Sequence, residues 1–163
     1  MKFRLVIVFS LITAFVAVNA SQKYYVQMAN SQMKRNPESW MIDFAKTLRW
    51  DYCQGLELQA FYKVWEKTKD KRYFDYMKSY TDTIIDSNGK IIVYKKSDYN
   101  IDKVNPGKFL FLLYSTTKEE KLRIAIDSLY SQLQSHPRTS DGGFWHKKVY
   151  PHQMWLDGLY MGT

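Results

Sequence analysis

The residues most able to do chemistry fall between Gly142 and Met161, where Phe144-Trp145-His146-Lys147 is followed by Tyr150-Pro151-His152-Gln153-Met154-Trp155-Leu156-Asp157-Gly158. Aromatic rings, two histidines and one carboxylate lie close together in this stretch. Rings stack on sugar faces while polar tips orient hydroxyls, the way small polar ligands are held in largely apolar pockets. Carbohydrate is the ligand this composition suggests. Asp157 stands inside an apolar run, residues 154–161, where an ionised carboxylate is costly unless paired or hydrogen-bonded. Desolvation there is expected to raise its pKa. Moving an aspartic acid close to neutrality requires about 3–4 kcal/mol, which burial can supply. The product would be a competent general acid. From residue type alone a buried structural Asp is the alternative. Trp155 and Gly158, which set a ring and an open approach beside the carboxylate, favour the chemical reading.

Asp102 is the second candidate. In Tyr99-Asn100-Ile101-Asp102-Lys103-Val104-Asn105-Pro106-Gly107-Lys108, Asn105 is expected to cap a helix whose first residue is Pro106. Asp102 is then left either to face a cavity shared with Asp157 or to sit solvated in a loop. His146 and His152 are six residues apart across Pro151, without the i, i+4 pairing of helical zinc motifs, so no metal is assigned. His136, just before Pro137, is expected at the surface. Cys53 is the only cysteine; it can form no internal disulfide and is expected to pack as a small apolar side chain within a helix. The sequence contains no Gly-rich phosphate loop, no Ser–His–Asp pattern and no C-x-x-C.

The elements that must position these residues read as helical hairpins. Leu56, Ala60 and Val64, with Phe61 and Trp65 beside them, predict a helix over residues 51–67. Tyr73, Tyr76, Met77, Tyr80 and Ile84 predict a second after the polar turn Thr68-Lys69-Asp70. Beyond the turn at Ser87-Asn88-Gly89, residues 91–94 could pair as a brief strand, with a polar loop over 95–104. Phe109, Leu112 and Leu113, then Leu122, Ala125, Leu129 and Leu133, give a second hairpin. It ends in the loop 135–143, and a third helix is expected to start near Pro151. The recurrence of apolar positions after 53 and 45 residues (Leu56, Phe109, Met154) is the spacing of stacked helix pairs. The third unit stops at Thr163 after its first helix. The chain is therefore expected to be incomplete and to expose apolar surface.

At the N-terminus Lys2 and Arg4 precede an apolar run, and Val18-Asn19-Ala20 offers a cleavage site, the pattern of a secretory signal peptide over residues 1–20. The run is shorter than the roughly 20 residues a spanning helix needs. The expected product, residues 21–163, is exported to the periplasm or the medium and keeps no membrane segment. Formal charge is +8; the first twenty residues carry Lys2, Arg4 and no acidic group, so +6 remains. Lys and Arg are scattered along helical segments and not gathered into a stripe, which argues against nucleic acid and leaves acidic polysaccharide as the better polyanion.

The string Pro137-Arg138-Thr139-Ser140-Asp141-Gly142-Gly143-Phe144-Trp145-His146-Lys147, continued by Gln153-Met154-Trp155-Leu156-Asp157-Gly158-Leu159-Tyr160-Met161, closely resembles glycoside hydrolase family 105, the unsaturated rhamnogalacturonyl hydrolases. The likeness extends upstream through Trp50-Asp51-Tyr52 with Gly55, the 68–70 turn, and the segment around Asp102. Lys69 and Asp141 replace the family's usual glycine and glutamate. The resemblance implies an all-α fold, the N-terminal part of an (α/α)6 toroid of helical hairpins, and no cofactor. It implies Asp157 as general acid/base and Asp102 as the second pocket carboxylate. Tyr52, His146 and Trp155 would line the subsite of the unsaturated sugar. The implied reaction protonates C4 of the C4=C5 double bond and adds water at C5, unlike direct displacement by two carboxylates. The implied substrate is an unsaturated acidic disaccharide of rhamnogalacturonan origin. The alternatives are an unsaturated glucuronyl hydrolase acting on glycosaminoglycan fragments and a half-toroid that binds glycan without turnover.

Overall fold

The computed structural model describes residues 23–162; the signal peptide expected at residues 1–20 lies outside the described residues. Helix α1 (Tyr24–Arg35) and a 3-10 segment (Ser39–Phe44) lead into a first hairpin, α2 (Tyr52–Thr68) and α3 (Lys71–Ile84). Short 3-10 turns at Lys96–Asp98 and Ile101–Lys103 precede the second hairpin, α4 (Gly107–Thr117) and α5 (Glu120–Ser135). A single turn, α6 (Gly158–Met161), follows a long loop. The architecture is all-α, as expected. Among the described residues β-pairing is confined to isolated bridges, and no helix is long and apolar enough to cross a membrane.

The hairpin turns show why the chain reverses where it does. Asp51 begins α2 by accepting a hydrogen bond from the Tyr52 N–H (2.9 Å). Lys69, left-handed at φ 57°, ends it. Thr68 Oγ1 donates to Val64 O and accepts from Asp70 N–H, and Asp70 in turn accepts from Arg72 N–H to start α3. The second hairpin turns in the same way on Lys118, φ 59°. In both, the lysine N–H donates to the carbonyl of an aromatic residue four back, Trp65 or Tyr114 (2.7 and 2.9 Å). The ammonium lies over that same ring, 5.2 and 5.6 Å from the centroid. A left-handed lysine costs about 1–2 kcal/mol relative to glycine, and the cation–π contact offsets part of it.

The core lies where the four helices of the two hairpins meet. Tyr73, Tyr76, Met77, Tyr80 and Ile84 of α3 are buried as their spacing predicts, as are Phe109, Leu110 and Leu113 of α4 and Leu122, Ala125 and Leu129 of α5. Leu112 and Leu133 are only half-buried. Trp50 is wholly buried; its indole N–H donates to Lys103 O (2.8 Å) and its ring meets Phe109. That bond ties the entrance of α2 to the turn bearing Asp102. A Cβ on Gly55 would come within 2.6 Å of Pro106 Cα, so α2 and the start of α4 touch backbone to backbone there.

Several expectations fail for identifiable reasons. In α2 the buried face is Gln54, Gly55, Leu58, Phe61, Tyr62 and Val64, while Leu56 and Ala60 are exposed. This helix carries apolar residues on more than one side; of the predicted stripe Phe61 and Val64 are buried and Trp65 packs against the core, whereas Leu56 and Ala60 do not. Residues 91–94 form no strand, because only Ile91 pairs, with Ile85, and Ile92 and Val93 point to solvent. Asn105 does not cap α4; the helix starts at Gly107 with Pro106 in the cap position, and the Asn105 amide is buried without a hydrogen bond among the described residues. No helix begins near Pro151. His152 is left-handed (φ 63°) and Gln153 O is taken by the His146 N–H (2.7 Å), so the backbone there is committed to cross-loop pairing. Phe111, Tyr130, Leu156 and Leu159 are exposed.

Candidate functional site

Two loops cross at the end of the hairpins and bring the site together. Residues 99–102 pair with residues 146–148 through an antiparallel bridge, Asn100 with Lys147. Its hydrogen bonds run from Ile101 N–H to His146 O (3.1 Å) and from Lys148 N–H to Tyr99 O (3.2 Å). Residues 137–145 supply the second loop's own turn. Arg138 bridges to Phe144, Thr139 N–H donates to Gly143 O (2.8 Å), and Gly142 takes φ 86°, a conformation suited to glycine. The guanidinium of Arg138 covers the Phe144 ring at 3.8 Å.

Asp102 sits in the Ile101–Lys103 turn, its N–H held by Asn100 Oδ1 (3.0 Å). Its carboxylate is buried, at 8% side-chain exposure, and Lys147 Nζ lies 2.8 Å from Oδ2. His146 Nε2 is 3.6 Å from Oδ1, too long for a hydrogen bond. His146 is itself buried, and its Nδ1 makes no hydrogen bond among the described residues. Its ring lies flat on Trp155, centroids 3.9 Å apart and planes 7° from parallel; Tyr150 stacks on the same indole at 5.5 Å. Trp155 Nε1 donates to Gln153 Oε1 (3.0 Å).

Asp157 completes the group: its carboxylate, that of Asp102 and a ring nitrogen of His146 all lie within 4.8 Å of one another. The burial expected of Asp157 is absent. The carboxylate is exposed, because residues 151–157 form an exposed loop in which Leu156 is 86% accessible, and a Cβ on Gly158 would meet nothing within 4 Å. Three such donors could surround a cation, but the Lys147 ammonium already occupies Asp102. Tyr52, at the start of α2, is partly exposed. Its hydroxyl is held above its ordinary pKa, first by a hydrogen bond to Cys53, and its neighbour Asp51 pairs with Lys103 Nζ (3.1 Å), next to Asp102. Burial pushes the Cys53 thiol up, consistent with a half-buried packing residue and not with a nucleophile.

The structure thus gathers Asp102, His146, Trp155 and Asp157 at one point, with Tyr52 nearby. Lys147 was not singled out from the sequence, although its place next to His146 on an extended pair was the available signal. His136, expected at the surface, is buried: Nε2 lies 2.8 Å from Trp145 O and Nδ1 3.2 Å from Gln132 Nε2. The misplacement comes from reading a residue before proline as loop surface when it closes α5 against the site.

Residues 24–163 match the model of Glycosyl Hydrolase Family 88. Among solved structures the chain is similar to a glycoside hydrolase from family 105 of C. acetobutylicum ATCC 824, with a TM-score of 0.79 and 46% identity over 86% of this chain. The chain spans 37% of the length of that relative. The helical hairpins and this likeness agree on a partial helical toroid.

Proposed function

This chain belongs to glycosyl hydrolase family 88, and from that membership we propose that it carries part of the catalytic site of an unsaturated glycuronyl hydrolase. The observation that supports this reading is the convergence of Asp102, His146 and Asp157 within 4.8 Å of one another beside the Trp155 ring. In the proposed reaction Asp157 delivers a proton to C4 of the unsaturated uronic acid. As carboxylate it then takes a proton from the water that adds at C5. The resulting hemiketal opens by breaking the bond between C5 and the ring oxygen, which leaves a ketone at C5 and a hemiacetal at C1, and the hemiacetal expels the neighbouring sugar as its alcohol. Asp102 and Lys147 hold the sugar, and Tyr52, His146 and Trp155 line its site. The exposure of Asp157 means that its role as proton donor needs cover from surfaces beyond the described residues. The substrate we propose is an unsaturated acidic disaccharide left by a polysaccharide lyase, of rhamnogalacturonan type. Residues 1–20 are proposed to direct export.

A second reading, a glycan-binding surface without turnover, draws support from the same exposure of Asp157. The discriminating experiment follows loss of the C4=C5 ultraviolet absorbance in the wild type and in Asp157→Asn, with binding measured separately. Turnover in the wild type that falls by at least about 100-fold in Asp157→Asn while binding survives supports the hydrolase. Equal loss of binding and turnover removes Asp157 from the acid role, and no turnover in the full-length wild type leaves the binding reading.

A further inference from the structure

The loop crossing that builds the site rests on very little backbone. Its one bridge and two hydrogen bonds, from Ile101 to His146 and from Lys148 to Tyr99, form a two-stranded contact far shorter than one that is stable in water alone. Something else must fix the distance between the turn bearing Asp102 and the segment bearing His146 and Lys147.

Beneath that crossing lie two buried polar side chains of the α5 terminus, Gln132 and His136. His136 Nε2 is 2.8 Å from the Trp145 carbonyl. A carbonyl can only accept, so Nε2 carries the proton and Nδ1 is left as an acceptor. Nδ1 faces Gln132 Nε2 at 3.2 Å, which donates one N–H to it and the other to Asn100 O (3.1 Å). Gln132 Oε1 accepts from Tyr94 O–H (2.6 Å). Every polar atom of both side chains is used, and one arrangement of protons satisfies all of them. The His136 ring is also held edge-on between Tyr99 (5.6 Å, 87°) and Phe144 (5.4 Å, 80°), one ring from each of the crossing loops.

The two carbonyls that this pair grips are those of Asn100 and Trp145. Asn100 orders Asp102 through its side chain, and Trp145 immediately precedes His146 and Lys147. We propose that Gln132 and His136 are positioning residues that set the spacing of the Asp102 turn against His146 and Lys147 by clamping the carbonyls of Asn100 and Trp145. Neither touches the sugar. Their role in turnover rests on the hydrolase reading above, whereas their role in placing His146 does not.

The test compares His136→Phe, which keeps the edge-on ring and loses both hydrogen bonds, with His136→Gln, whose amide N–H can still reach Trp145 O. Each is made in the full-length protein and read by NMR of the histidine rings and by decay of the unsaturated disaccharide. Wild-type His136 is expected as a single neutral tautomer protonated at Nε2. His136→Phe should shift or broaden the His146 ring signals and lower kcat by about 10- to 100-fold with the core resonances unchanged, the scale that a small misplacement produces. His136→Gln should recover most of both. Should His136→Phe fail to fold, Gln132→Glu, which turns an acceptor toward Asn100 O, is read on the same His146 signals. Unmoved His146 signals, a His136→Gln variant no better than His136→Phe, or activity lost only in proportion to the folded fraction would each overturn the proposal. A wild type that folds but never hydrolyses the disaccharide sinks the hydrolase reading alone, and the His146 signals still decide the positioning role.

Discussion

The imidazole of His146 and the indole of Trp155 lie face to face, 3.9 Å apart and within 7° of parallel. Trp155 is 41% exposed while His146 is 2% exposed, so the indole acts as a cover plate over a buried ring that itself leans toward Asp102. The contact joins the loop bearing Asp157 to the loop crossing that holds Asp102.

Trp155→Ala should therefore do more than remove an aromatic surface. Stacking of this kind contributes about 0.5–1.5 kcal/mol beyond area burial, and its loss opens His146 to water. On the proposed hydrolase reading the expected result is a KM for the unsaturated disaccharide raised by about 10-fold, with a histidine ring signal that becomes solvent-accessible by NMR. An unchanged His146 signal would show that the cover comes from elsewhere.

Lys147→Gln removes the cation 2.8 Å from a carboxylate of only 8% exposure. Leaving that charge without its partner should destabilise the fold by about 2 kcal/mol, measured by denaturant unfolding. Adding Asp102→Asn should restore part of the loss, because no buried charge then remains. Additive losses in the double variant would mean that the pair is not coupled.

Burial holds His136 below its ordinary value of 6.5, and the nearby Arg138 guanidinium adds to the effect. The other groups against the ring, Tyr99 and Gln132, carry no charge at neutral pH. Below about pH 6.5 the unfolded chain therefore binds a proton that the folded chain refuses. Stability should fall as pH drops from about 6.5 toward the lowered folded value and then level off with respect to this group. His136→Gln should remove this slope, and urea titrations of the two proteins between pH 7 and pH 5 measure it.

Lys69 spans two opposing effects, a left-handed backbone and a cation–π contact with Trp65. Lys69→Ala keeps the strain and loses the contact, whereas Lys69→Gly loses both. The glycine variant should be the more stable of the two by about 1 kcal/mol. Equal stabilities would mean that the turn relaxes out of the left-handed region.

Much of the fold was legible from spacing because the stripes of α3 and α5 each have one side to bury, with polar residues opposite. The stripe of α2 was not, since that helix is flanked by α3 and α4 and carries apolar residues around its circumference. Within the site, the cluster of Asp102, His146, Trp155 and Asp157 was visible as residue types that suit a sugar. The exposure of Asp157 was not, because an apolar run reads as buried only if a partner surface covers it. Lys147 and Gln132 escaped notice, and His136 was misplaced at the surface, for a different reason: their roles arise from two loops pairing across 47 residues of chain, Asn100 to Lys147, and such pairing leaves little local pattern.

The backbone contact at Gly55 and Pro106 bears on how the site can move. With no side chain between them, the two hairpins have no compressible layer at that point and cannot slide or approach further. The turn bearing Asp102 is thus anchored on either side, by the Gly55–Pro106 contact and by the Trp50–Lys103 hydrogen bond. A bulkier residue at 55 would have to displace the backbone at Pro106, four residues from Asp102.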